Sequence, residues 1–242
     1  MSAAAPFTER VRPFLRNNTF FGSLPDSALD VLIRKGHSKR FAKADVIFRR
    51  GDPGDSVMVV LSGRLKITNV TVDAKEIVLN FIGAGDINGE IAALDGRERT
   101  ADVVGLEPGE LFVVHARDLV PMLVAHPAAL LEIVQILCER LRSTSAIIED
   151  NTLEMRTRMA KGLRRLAQQH GRKSPNGIYL DLTLSQRELG AYLSLSRENV
   201  SRQLGWLREV KTIDVVGAHI IITDAEELEA IAEGRQHGMS RT

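Results

Sequence analysis

In the stretch GEIAALDGRERTA, residues 89–101, Glu90 and Arg99 stand nine positions apart around a run of small and apolar residues. Burying both charges demands a partner for each. Arg99 offers a planar fork suited to a phosphate, Thr100 adds a hydroxyl and a backbone N–H, and Glu90 can accept from a sugar hydroxyl. The alternative is a Glu90–Arg99 salt bridge, which gives little net stability once desolvation is counted. A second group lies in SRENVSR, where Glu198, Ser201 and Arg202 share one face of a helix and Arg197 precedes them. Arginine can bond guanine in bidentate fashion and glutamate can accept from cytosine, whereas a plain Glu198–Arg202 surface ion pair would be worth only about 0.3–0.5 kcal/mol.

The charge distribution favours a polyanion near the second group. Between Arg156 and Lys211 there are twelve Lys and Arg against four acids, a local excess of eight in a chain whose net charge is +1. Such a region is the electrostatic footprint of a nucleic-acid-binding face. Cys138 is the only cysteine, so neither a disulfide framework nor a thiolate-held metal is expected from one chain. The six histidines are scattered without helical pairing, and no metal site is expected. The chain lacks an apolar run of the roughly 18 residues a membrane span needs, and residues 1–18 lack a signal-peptide core. A soluble, cytoplasmic protein without membrane contact is the expectation. A P-loop, a Ser/His/Asp grouping and a carboxylate pair are all missing, so no enzyme is expected.

The elements that must position these residues follow from period and punctuation. Pro6 to Asn17 and Pro25 to Gly36 read as short helices, the second with Asp26 or Ser27 able to cap it and Gly36 able to end it. From Val46 to Ala116, short β-branched runs (VIF, SVMVVLSG, RLKITNV, EIVLNFI, ELFVVHA) alternate with Gly-rich turns, which predicts a compact antiparallel barrel or sandwich. Pro127 to Asn151 reads as one helix. Along it Leu130, Val134, Leu137, Leu141, Thr144 and Ile148 form an a/d seam, suited to meeting a second copy while the opposite face packs on the barrel. After a polar joint, EDNT, a basic helix runs from Leu153 to His170. IYLDLTLS is strand-like, and Ser185 with Glu188 forms a capping box. Ser196 is placed to cap the next helix three residues after the first, and IDVV and HIIIT flank Gly217-Ala218 as a hairpin. The whole predicts an α+β chain. Its parts are an N-terminal antiparallel β-roll (1–125), a long dimerisation helix with hinge (126–152) and a C-terminal winged helix-turn-helix (153–242). The tail EGRQHGMSRT is polar enough to be disordered.

GEIAALDGRERTA resembles the phosphate-binding cassette of cyclic-nucleotide-binding domains, and the distal half resembles the winged helix-turn-helix of the CRP/FNR family of bacterial transcription regulators. The order barrel, long helix, winged helix is similar too, over roughly residues 15–225. The resemblance implies a cyclic-nucleotide pocket formed by Gly89, Glu90 and Ile91 with Arg99 and Thr100. In it Glu90 takes the ribose 2′-OH, and Arg99 and Thr100 take the cyclic phosphate. RLRSTSAI resembles the purine-contacting segment of cAMP receptor proteins, which implies Thr144 from one subunit and Ser145 from its partner. On the DNA side it implies Arg197, Glu198 and Arg202 reading a TGTGA-like half-site, with Ser201 a lesser contact and Ser185, Gln186 and Ser196 among the DNA-facing residues.

The implied protein is a homodimer that binds double-stranded DNA, answers to cAMP and meets RNA polymerase. Thr100 can also bond a guanine, which keeps cGMP open. The Glu90–Arg99 spacing is one residue shorter than in the best-known bacterial cAMP receptor and equals that of kinase-type cassettes. Other readings are a haem or other effector sensor with a vestigial cassette, constitutive DNA binding, and the regulatory module of an enzyme.

Overall fold

The computed structural model describes residues 7–235; residues 1–6 and the end of the tail, 236–242, lie outside the described residues, and with them most of the expected disorder. The described chain divides into two compact units, residues 1–71 with 79–142, and residues 72–78 with 143–242.

The first unit opens with helices α1 (Phe7–Asn17), α2 (Thr19–Gly22) and α3 (Asp26–Lys35). Asn18 caps α2 through its side chain, which accepts from the N–H groups of Phe20 and Phe21. The expected cap of α3 does not form. Pro25 is the N-cap residue and lacks a side-chain bond, because Asp26 lies in the first turn and takes Arg12 and Arg16 as ion-pair partners. Gly36 ends α3 as expected, its N–H donating to Leu32.

Strands β1 (His37–Phe41), β2 (Val46–Phe48), β3 (Ser56–Val70), β4 (Glu76–Ile82), β5 (Ile87–Asn88) and β6 (Asp102–His115) form one sheet. Its order is β1-β6-β3-β4, with β2 on β6 and β5 on β3. SVMVVLSG and RLKITNV, which read as separate strands, are one fifteen-residue strand. Gly63, at φ +78, makes a register shift against β6 and not a chain reversal, and a side chain there would strike the Pro108 carbonyl at 2.4 Å. Alternation along β3 divides the core. Val57, Val59 and Leu61 face a cluster built with α1, α3 and later helices, whereas Met58, Val60, Leu65 and Ile67 fill the interior of the roll. Two helices follow, α4 (Glu90–Asp95) between β5 and β6 and α5 (Ala116–Ala125) after β6.

Helix α6 spans Pro127–Asp150. Ala129 and Ile133 are buried in the helix-side cluster of the first unit, with Ile136 and Leu137 packed against it. Leu137, expected on the a/d seam, thus turns inward, whereas the other apolar residues of that seam are bare: Leu130, Val134, Leu141 and Ile148 are 41, 47, 68 and 66% exposed. No single described helix is long and apolar enough to cross a membrane.

The second unit contains α7 (Met155–His170), β7 (Gly171–Ser174), β8 (Gly177–Leu180), α8 (Gln186–Leu193), α9 (Arg197–Glu209), β9 (Ile213–Val216), β10 (His219–Ile222) and α10 (Ala225–Ala232). Its sheet runs β7-β8-β10-β9. The expected β9–β10 hairpin forms about Gly217, at φ +64. At the polar joint EDNT, Asp150 is buried, paired with Arg165 and, at 3.2 Å, with Lys161.

Candidate functional site

The first unit gathers the cassette at the junction of β5, α4 and the segment before β6. Gly89 takes φ +88 and starts α4, a conformation L side chains rarely adopt. A Cβ there would lie 2.5 Å from Arg99 Nη1. Glycine therefore serves both the turn and the approach of the arginine.

Arg99 is 4% exposed and Glu90 1%, yet among the described residues they do not pair with each other. Arg99 Nη1 donates to the carbonyls of Ser56 (2.8 Å) and Gly89 (3.0 Å), Nη2 donates to Ser56 Oγ (2.8 Å), and the guanidinium lies 4.3 Å from the centre of the Phe48 ring. Three of its five N–H groups are thus engaged, and the buried Nε has no protein partner. The donors left over are Nε–H and one hydrogen of Nη2, the side edge that binds a phosphate in bidentate fashion. Burial lowers the Arg99 pKa, and the nearby carboxylates of Asp55, Glu90 and Asp52 oppose that shift. The group stays a cation.

Glu90 Oε1 accepts from Arg140 Nη1 at 2.6 Å, and Arg140 Nη2 donates to the Ile87 carbonyl at 2.6 Å. Glu90 Oε2 is buried without a protein partner. An orphaned acceptor and an orphaned arginine edge in one cassette fit a ligand carrying a hydroxyl and an anionic phosphate. Thr100, one residue on, is exposed, and Ile91 is half-buried on α4. Thr144 and Ser145 are exposed on α6.

Two members of this cluster, Ser56 and Arg140, escaped the sequence reading. Ser56 carried no signal, being one serine at the start of a strand. Arg140 had one: Ile133, Ile136 and Arg140 recur at helical spacing on the stripe of α6 that packs inward, so a charge stands where an apolar residue was due.

In the second unit, α8 and α9 are joined by three residues, with Ser194 at φ +53. Leu195 N–H donates to the Gly190 carbonyl at 2.9 Å, and a Cβ on Gly190 would lie 2.6 Å from the Leu195 carbonyl oxygen. Small Gly190 thus permits the tight crossing. Ser185 and Glu188 form the reciprocal capping box, and Ser196 Oγ accepts from Asn199 N–H at 3.2 Å. Along α9, Val200, Gln203, Leu204 and Leu207 are buried, while Arg197, Glu198, Ser201 and Arg202 are exposed. Glu198 and Arg202 form no ion pair with one another among the described residues, and the Glu198 carboxyl is held below its ordinary pKa by its own backbone N–H and by Ser196. Gln186 and Ser185 are exposed at the start of α8.

Much of the basic excess is neutralised within the unit. Arg165 and Lys161 hold Asp150, Arg164 pairs with Glu229, and Arg158 donates to the carbonyls of Asn151 (2.8 Å), Leu153 (2.9 Å) and Ser194 (3.4 Å). Among the described residues, no cluster of three or more His, Cys, Asp or Glu is arranged to hold a metal ion.

An antiparallel roll carrying the Glu90–Arg99 cassette, followed by a winged helix-turn-helix, is the architecture of a ligand-responsive DNA-binding regulator. Residues 38–126 match the cyclic nucleotide-binding domain and residues 157–231 match the Crp-like helix-turn-helix domain. The CRP-like cAMP-activated global transcriptional regulator of Mycobacterium tuberculosis is 26% identical over 215 residues, covering 86% of this chain and 93% of that one. The global nitrogen regulator of Synechococcus elongatus is 30% identical over 182 residues, covering 73% and 81%. The structure of FixK2 from Bradyrhizobium japonicum shares the fold, with a TM-score of 0.73 at 18% identity over 81% of this chain and 96% of that one. The chain belongs to the CRP/FNR family of transcription regulators.

Proposed function

We propose that this chain is a homodimeric transcription regulator switched by a cyclic nucleotide, with cAMP the effector. The observation that carries the reading is the unmatched pair of buried polar atoms, Glu90 Oε2 and Arg99 Nε, in one cassette. In this reading Arg99 and Thr100 hold the cyclic phosphate, Glu90 takes the ribose 2′-OH, and Gly89 and Ile91 shape the turn beneath. Arg140 orients Glu90 through its bond to Oε1. Thr144 and the partner copy's equivalent of Ser145 meet the purine, as the resemblance to cAMP receptor proteins implies. The first of the relatives above is named as cAMP-activated, which supports the same effector. Exposed Thr100 can add a bond to guanine, so cGMP is the second nucleotide to test.

Residues 1–125 then sense, 126–152 dimerise and 153–242 bind DNA. Two copies meet along the exposed stripe of α6. Their α9 helices, about 34 Å apart, enter successive major grooves of a palindromic TGTGA-like site, where Arg197, Glu198 and Arg202 read bases. Nucleotide switches the protein by binding the DNA-competent arrangement more tightly than the other. The setting is the cytoplasm and the downstream partner RNA polymerase.

Calorimetric titration with cAMP and cGMP, on the intact protein and on Arg99→Leu, tests this. Heat with cAMP that vanishes in the variant is the expected result. No heat from either nucleotide overturns the effector assignment and directs the search to another ligand.

A further inference from the structure

The exposed stripe of α9 continues past the residues that face bases. Spacings of three and four carry it from Glu198 through Ser201 and Arg202 to Gly205, then to Arg208 and Glu209. Gly205, Arg208 and Glu209 of the helix, with Lys211 and Asp214 beyond it, line an open cleft, and Ile213 and Thr223 complete its wall.

Two residues in this cleft are each the wrong choice by local energetics. Gly205 sits in the interior of a thirteen-residue helix, where alanine is favoured. A Cβ there would meet nothing within 4 Å, so packing does not require the glycine. Lys211 follows the helix at φ +58, the left-handed position where glycine or asparagine is favoured. The fold holds it there firmly: its N–H donates to the Arg208 carbonyl at 3.0 Å, and its carbonyl accepts from Thr223 Oγ1 at 2.8 Å. Local preference would put a side chain at 205 and glycine at 211. The chain has the reverse at both, and both face one cleft.

A strand of DNA backbone explains the reversal. Arg208 lies six residues beyond Arg202, about 9 Å along the helix axis. The major groove is about 12 Å wide, so a helix whose first turns sit on the bases brings its last turn to the groove's rim, where the sugar-phosphate chain passes. A glycine lets that chain approach the helix closely, and exposed Arg208 and Lys211, unpaired with any acid among the described residues, can reach a phosphate on either side of it. Glu209 and Asp214 share the lining and oppose a phosphate there, so its hold falls to Arg208 and Lys211 alone.

We infer that the cleft of Gly205, Arg208 and Lys211 is a docking groove for the DNA phosphodiester backbone flanking the bases that α9 reads. This rests on the DNA-binding reading above. The groove contributes affinity without sequence preference.

The test is fluorescence-anisotropy titration of the full chain, with cAMP present and absent, on a duplex carrying two TGTGA half-sites and on a shuffled duplex of equal length, at several salt concentrations. Lys211→Gly is expected to weaken binding to both duplexes by the same several-fold factor and to reduce the slope of log affinity against log salt by about 1 per subunit. Lys211→Arg should keep the slope. Gly205→Ala should raise the melting temperature and weaken both duplexes alike, and Glu209→Gln should tighten both. Unchanged affinity and slope in Lys211→Gly and Gly205→Ala, with the intact chain binding normally, overturn the groove alone. Loss confined to the TGTGA duplex would make these residues base readers and also overturn it. An intact chain that binds neither duplex overturns the DNA-binding reading and the groove together.

Discussion

Arg140 donates to Glu90 at 2.6 Å, so the long helix, and not the cassette's own arginine, supplies the counter-charge to the buried carboxylate. Arg140 is partly exposed and Glu90 is not. Replacing Arg140 by alanine leaves a buried carboxylate unpaired and should destabilise the protein by about 1–3 kcal/mol, read by urea unfolding. Nucleotide affinity should fall with it. A variant as stable as the parent would mean that Glu90 finds another donor.

Gly89→Ala should be costly beyond the backbone strain of a left-handed residue, because its methyl would lie 2.5 Å from Arg99 Nη1. A loss of about 1–3 kcal/mol from strain alone is expected. Displacing Arg99 should also weaken cyclic-nucleotide binding more than a substitution at an exposed position, such as Lys43→Ala, does. Equal nucleotide affinity in the two variants would show that Arg99 is free to shift.

The bare apolar stripe on α6 predicts an assembly. Leu141, 68% exposed, sits at its middle, and Leu141→Glu should convert a dimer to a species near the 26.7 kDa monomer in sedimentation equilibrium. A parent protein already at the monomer mass would remove the stripe's purpose as an interface.

Buried Asp150 holds Arg165 and Lys161 at the joint before α7. Asp150→Ala strands the Arg165 guanidinium and should cost about 3–5 kcal/mol in the second unit. The double variant Asp150→Leu with Arg165→Met should recover most of it, as measured by thermal unfolding. No recovery would mean that the pair fixes the joint's geometry in a way apolar packing cannot replace.

Glu110 carries a pH dependence of known sign. A bond from Ser38, then the guanidinium of Arg10 at 2.8 Å, hold its carboxyl below the ordinary range. The stabilisation is therefore fully present above the unfolded pKa of about 4.3 and is lost as the pH falls through the lower folded value. As a partly exposed pair it is worth at most about 1 kcal/mol. Glu110→Ala should melt earlier than the parent at pH 7, and the gap should close as the pH falls below the ordinary glutamate range. A gap constant with pH would assign the loss to packing.

The motifs with local chemistry were legible in the sequence because their geometry is local. The capping box of Ser185 and Glu188, the Ser196 cap and the hairpin at Gly217 each follow from residues within a few positions of one another. The cassette was legible as a set, but not its partners. Ser56 reaches Arg99 across 43 residues and Arg140 reaches Glu90 across 50; the spacing along α6 marks Arg140 as inward-facing, but neither contact leaves a trace of which partner it meets. The sheet was readable in class but not in strand count, because a glycine at positive φ marks both a corner and a bulge, and Gly63 is a bulge. Charge misled most. Counting basic residues between Arg156 and Lys211 treats them as one exposed face, whereas Arg158, Lys161, Arg164 and Arg165 are tied to groups inside the unit.

Arg158 reaches both the loop that follows α6 and the turn that precedes α9, through carbonyls of Asn151 and Leu153 on one side and Ser194 on the other. Hydrogen bonds tolerate only a few tenths of an ångström before they weaken. A larger shift of the Asn151–Leu153 loop must either drag the Ser194 turn with it or break the bracket. One guanidinium thus ties the loop after α6 to the turn that leads into α9, closely at Asn151 and Leu153 and more loosely, at 3.4 Å, at Ser194.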